Sequence, residues 1–255
     1  MLMKRISIIL VFITLLLPMK LFGQTYGSMW KQVEAEQKKD TPRSAMALIE
    51  KIRKKAEKEK QYGHLIKAEL LYISTETSIT PDSLVPSVRR LSDKELKLRD
   101  ADPVLAAVYQ TVLSRLYNRY NQLDENHAYD KSREYEQLAI RYPEQLAQHK
   151  ASEYEPLLVE GYDSRWFEND LLSVIGYELD EYEVMHDYYV KTNLRTAACL
   201  TAMEVVNKHR WWGAREVKQS DYIRQIDSLI TQYGDLKVAG ELALSRYQFM
   251  ERAND

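Results

Sequence analysis

Apolar residues return every three or four positions through most of this chain. The clearest run lies between Pro103 and Tyr120, where Leu105, Val108, Tyr109, Val112, Leu116 and Tyr120 form one continuous stripe. That repeat belongs to a helix with one buried face. The same spacing predicts a helix from Tyr26 to Lys39 around Trp30, Val33 and Gln37, and another from Pro42 to Lys60 around Ala45, Leu48, Ile49, Ile52 and Ala56. A third runs from Tyr62 to about Thr77 around Ile66, Leu70 and Ile73. Thr41 and Asp102 each precede a proline, so each is placed to cap a helix whose first residue lacks a backbone N–H.

Between Ser78 and Asp102 the pattern loosens around Pro81 and Pro86, and a short charged helix is expected over Val88 to Leu98. Tyr135, Leu138, Ala139 and Tyr142 resume the helical spacing until Pro143. Glu144 to Tyr162 reads as a short helix and a longer connection containing Pro156 and Gly161. Asp163 to Val206 then carries three helices on tight turns. Leu172, Ile175 and Leu179 stripe the first, and Tyr182, Met185 and Tyr189 the second. Ala197, Ala198 and Ala202 give the third a smooth face. Asp180 with Glu183 has the spacing of a capping box, and Asn193 stands where the third helix would be capped. Beyond Trp211-Trp212-Gly213, Ser220 is placed to cap a helix through Ile223, Ile226, Ile230 and Tyr233, and a last helix spans Leu236 to Glu251.

No segment alternates with period two. The reading is an all-α fold, an irregular array of antiparallel helical hairpins of tetratricopeptide-like or α-solenoid-like character, without a clean 34-residue repeat. Glycine (8) and proline (7) are scarce, as helices prefer, and the 18 tyrosines suit helix seams that keep a hydroxyl wet.

Charge and targeting change the picture at the N-terminus. Lys4 and Arg5 precede the apolar run Ile6 to Leu17, followed by Pro18 and a short tail to Gly23. This order is that of a signal peptide, and the run is too short to span a bilayer. Residues 1–23 are therefore expected to be removed and residues 24–255 to form one helical domain in the periplasm or outside the cell. Basic residues then number 33 against 38 acidic ones, a net charge of −5 that gives no global attraction to nucleic acid. Contact with the membrane is expected only through the signal peptide. The lone Cys199 cannot form an internal disulfide and reads as an inert core thiol.

Chemistry is sparse. His64, His127, His149, His186 and His209 show no metal-ligand spacing, and HExxH, GxGxxG, P-loop and GxSxG patterns are absent. Acidic residues gather at Glu168 and Asp170 and again at Glu178, Asp180, Glu181 and Glu183. A glycosidase would need two of them opposed across a cleft, whereas helix caps and solvated faces account for them without one. The basic run Lys51 to Lys60 reads as the outer face of an amphipathic helix rather than a lipid-binding patch. Trp211-Trp212 reads as an aromatic plug over the last helices. No catalytic, cofactor-binding or metal residue is assigned, and a non-enzymatic protein without cofactor is expected.

Two stretches resemble the N-terminal helical region of large bacterial alpha-2-macroglobulin-like proteins. One is Tyr26 to Met46, YGSMWKQVEAEQKKDTPRSAM. The other comprises DSRWFENDLLSVIGYE from Asp163 and HDYYVKTNLRTAACLTAMEV from His186. The resemblance implies an exported protein of a protease-trapping system, in which a bait region is cut and, in many members, a Cys–Gln thioester captures the protease. The sequence reaches Asp255 without a bait or β-sandwich domain, and Cys199 lacks the C-x-E-Q context of a thioester. The expectation is thus a helical module that binds or positions a protein partner through a concave surface lined by tyrosines. That partner would be the rest of such an inhibitor, or else an envelope protein bound by a generic tetratricopeptide-like scaffold.

Overall fold

The computed structural model describes residues 24–124, 126–159, 161, 163–212 and 219–252; the segment expected to be a signal peptide and the side chains of His209, Trp211 and Trp212 lie outside the described residues. Among these residues the chain is all-α, with twelve α-helices and no strand. In order they are α1 Tyr26–Lys38, α2 Pro42–Glu59, α3 Tyr62–Ile79, α4 Leu84–Leu98, α5 Pro103–Arg119, α6 Ala128–Ala139, α7 Pro143–Leu146, α8 Leu171–Leu179, α9 Tyr182–Lys191, α10 Arg195–Trp212, α11 Gln219–Tyr233 and α12 Ala239–Arg252.

Each long helix packs mainly on its neighbour in sequence, most extensively α5 on α6, α2 on α3 and α9 on α10. Very short turns between α1, α2 and α3, and between α8, α9 and α10, reverse the chain. They do so without glycine. Asp40, Lys60, Asp180 and Asn193 each take a left-handed conformation, with φ between 54° and 58°, which a side chain adopts at a cost of about 1 kcal/mol. Lys60→Gly should therefore raise stability by about 0.5–1 kcal/mol, read from the urea midpoint, because relief of that strain outweighs glycine's added freedom in the unfolded chain.

Two cores result. The larger one runs from α3 to α12 around fully buried Tyr109, Leu113, Leu171, Leu172, Met185, Tyr189 and Ile226. A smaller one, Met29, Trp30, Val33, Ile49, Ile52 and Ala68, joins α1 to α2 and α3.

Several caps differ from expectation. Thr41 stands at the N-cap of α2 but makes no side-chain cap; its hydroxyl turns back to α1 and donates to the Glu36 carbonyl (2.9 Å) and carboxylate (2.7 Å). The helix expected at Val88 starts at Leu84, because Pro86 falls in its first turn, where a missing N–H costs nothing. Asp180 ends α8 in its left-handed conformation instead of opening α9, and Glu183 pairs with Lys208 at 2.9 Å. Asn193 is a turn residue, the first helical bond of α10 running to the Leu194 carbonyl. Ser220 lies inside α11, not before it. Asp102 does cap α5, accepting from the Leu105 N–H at 3.0 Å.

Candidate functional site

Helix α5 organises the polar interior. Its Tyr109, Gln110 and Ser114 each donate to a carboxylate from a different neighbouring helix. Tyr109 Oη meets Glu69 of α3 at 2.7 Å, Gln110 Nε2 meets Glu95 of α4 at 2.6 Å, and Ser114 Oγ meets Glu136 of α6 at 3.3 Å. Each carboxylate also holds one cation nearer the surface: Lys94 at 2.7 Å, Arg99 at 2.6 and 3.0 Å, and Arg133 at 2.5 Å, respectively. A buried carboxylate needs such company, since an unpaired one would be severely penalised. The Glu95 arrangement borders a pocket of about 100 Å³ through Gln110 and Arg99, and the Glu136 arrangement meets solvent through Arg133. The Glu69 arrangement opens into a groove.

That groove lies between α2, α3 and α4 and encloses about 410 Å³. Its lining repeats at helical spacing on each wall: Glu50, Arg53 and Glu57 from α2; Glu69, Tyr72 and Ile73 from α3; Ser87, Arg90, Leu91 and Lys94 from α4. These positions flank the core stripe of each helix, so packing three helices side by side brings three polar edges together. Arg53 donates to both oxygens of Glu50, at 2.7 and 2.8 Å, and stands 3.9 Å from Glu57. That bond holds the Glu50 carboxyl below its usual range and pushes the Arg53 guanidinium up. Arg90 donates to Ser87 Oγ at 2.7 Å and lies 3.5 Å from Glu76. Its side chain is 63% exposed, so of these cations it is the one most open to a partner. Burial, with Glu69 beside it, raises the Tyr109 hydroxyl far above its ordinary value and keeps it a neutral donor. The groove offers alternating cations and carboxylates around a small apolar floor, which suits a polar, charge-bearing segment.

The carboxylates singled out in the sequence are not brought together in this way. Asp170 is buried as the cap of α8, accepting from the Ser173 N–H at 2.7 Å and from the Tyr189 hydroxyl at 2.8 and 3.1 Å. Burial raises its pKa. Glu168, two residues earlier, is exposed in a turn where Lys150 Nζ donates to its backbone carbonyl at 2.7 Å. Neither borders the groove. Glu178 pairs with Arg115 at 2.9 Å on the surface, and Glu181 is half-buried, its carboxyl raised by burial. Of the described histidines, His64 accepts from Trp30 Nε1 at 2.9 Å, His127 stands 3.4 Å from Asp124, His149 faces Glu153 at 2.8 Å, and His186 donates from Nδ1 to the Ala198 carbonyl at 3.0 Å. Among the described residues no group of three or more His, Cys, Asp or Glu is arranged to hold a metal ion.

The run Lys51 to Lys60 splits in two. Lys51, Lys54, Lys58 and Lys60 are exposed, while Arg53 and Lys55 turn inward to the groove and to α1. The tyrosines do not line the groove as a set. Tyr109, Tyr135, Tyr154, Tyr189, Tyr222 and Tyr233 are buried in seams, and the groove takes Tyr72. Sequence reasoning passed over the groove because its charged residues were read helix by helix as solvated faces. The signal was there in the polar positions adjoining three successive core stripes.

Cys199 is buried on α10, where burial pushes its thiol up to about 11. At pH 8 native protein should therefore react with a thiol reagent far more slowly than protein in urea, a difference read directly from the absorbance of released thionitrobenzoate.

Neither a protein-family model, nor a curated protein, nor a solved structure matches this chain.

Proposed function

We propose that this chain is an exported, non-enzymatic helical module that binds a protein partner in the groove between α2, α3 and α4. The partner we favour is an alpha-2-macroglobulin-like protease-trapping protein of the same cell envelope. The observation that carries the binding reading is the groove itself, where Arg53, Arg90 and Lys94 alternate with Glu50, Glu57 and Glu69 around Tyr72 and Leu91. There the exposed Arg90 and Glu57 keep 63% and 57% of their side-chain surface open beside the buried Glu69. The two stretches that resemble the macroglobulin-like proteins support the choice of partner. They form α1 with the start of α2, and most of the run from α8 to α10.

A photo-reactive phenylalanine analogue at Tyr72, introduced in the cell, tests the reading. It should crosslink the chain to the macroglobulin-like protein, while the same analogue at Tyr129, exposed on α6, should not. Equal crosslinking from both positions, or from neither, contradicts it.

A further inference from the structure

The N-terminal helix is fastened by a core of its own, and one histidine sits at the fastening point. Trp30 Nε1 donates to His64 Nδ1 at 2.9 Å, linking α1 to α3. The Tyr26 ring stacks on the same imidazole, with centroids 3.9 Å apart and planes 10° from parallel. An indole N–H only donates, so Nδ1 must carry its lone pair and the imidazole must be neutral. We propose that His64 is an acid-sensitive catch: neutral, it holds α1 in place, and protonated, it lets α1 go.

The surroundings of His64 favour this behaviour. From α2, Lys55 Nζ lies 4.3 Å from the centre of the Tyr26 ring that covers the imidazole. From α3 itself, Lys67 Nζ lies 5.0 Å from the centre of the Trp30 ring. Glu59 of α2, the carboxylate at this corner, is already engaged by the Tyr26 hydroxyl at 2.7 Å and by Lys55 at 3.4 Å. The segment packed beside Gly63 brings the backbone carbonyls of Tyr154 and Glu155; its Glu153 is turned to His149, and Glu155 is exposed. A proton on Nδ1 thus removes the acceptor for Trp30 and places an imidazolium near two ammonium groups.

Burial, followed by Lys67 and Lys55, lowers the His64 pKa below its ordinary value. The proton therefore binds the released form better than the docked form. Docking is at full strength above the ordinary histidine value of about 6.5 and weakens as pH falls from there toward the depressed value. Release would uncover Ile49, Ile52 and Ala68, the apolar seat now filled by Met29, Trp30 and Val33. This catch stands apart from the groove reading.

Amide hydrogen exchange on residues 24–255, corrected for the intrinsic pH dependence, tests it. The α1 amides should lose about fivefold of their protection relative to those of α5 between pH 7.5 and pH 5, the worth of one hydrogen bond. His64→Gln, which keeps an acceptor for Trp30 without a titrating group, should hold α1 equally at both pH values. Lys67→Gln should shrink the loss. Unchanged α1 protection in the natural chain at pH 5, or the same loss in His64→Gln, overturns the proposal.

Discussion

Gly63→Ala should destabilise the protein by about 3 kcal/mol, the upper end of what overpacking costs. A Cβ on Gly63 would sit 2.2 Å from the Tyr154 carbonyl oxygen and 2.3 Å from that of Glu155. Both obstacles are backbone, so relief requires moving α3 or the 151–155 segment bodily. The helical preference of alanine returns only about 1 kcal/mol. Two other glycines make the comparison quantitative. At Gly176 the clash is with the Met185 side chain, at 2.2 Å from Sδ. A methionine with three rotatable bonds gives way more cheaply than backbone does, so Gly176→Ala should cost about 1–2 kcal/mol. At Gly27 nothing lies within 4 Å, and alanine there should stabilise by about 0.5–1 kcal/mol. Urea unfolding of the three variants would check both the signs and the order.

Glu95→Ala should cost about 3 kcal/mol. Glu95 is fully buried in the seam between α4 and α5, where Gln110 and both arms of Arg99 converge on its carboxylate. Removing it strands the buried Gln110 amide and deprives Arg99 of its partner. Breaking a buried pair from one side costs about 3–5 kcal/mol, and the lower end applies because Arg99 reaches solvent. Gln110→Leu in the same background should recover part of the loss, since the stranded donor is gone. A double-mutant cycle on Glu95 and Gln110 measures their coupling, expected at about 1–2 kcal/mol.

Much of this was legible in the sequence. The stripe from Leu105 to Leu116 gives α5, and Asp102-Pro103 its start. Ala197, Ala198 and Ala202 are all buried on α10 as the smooth face predicts. Turns were less legible. Asp180 and Asn193 look like N-caps by residue type, yet each serves as the left-handed turn residue that glycine would otherwise supply, and spacing alone does not separate the two uses. Pro86 looked like a breaker because its place in the first turn of α4 depends on where that turn begins. The groove was hidden for a different reason. Its carboxylates and cations belong to three helices, and only their packing decides that Glu69 goes inward to Tyr109 and Lys94 while Glu57 stays in solvent. The large seam tyrosines could be foreseen as a class, but not which one would face the groove.

A binding titration of residues 24–255 against the proposed macroglobulin-like partner tests the central claim most directly. Arg90 and Glu57 stand on opposite walls of the groove and are largely exposed. Reversing both, as Arg90→Glu with Glu57→Lys, should therefore cost the fold no more than about 1 kcal/mol. The groove account predicts saturable one-to-one binding with a Kd of about micromolar order, weakened at least about tenfold by the double reversal. Equal affinity in the natural and reversed chains, or no binding at about 100 μM, would contradict it.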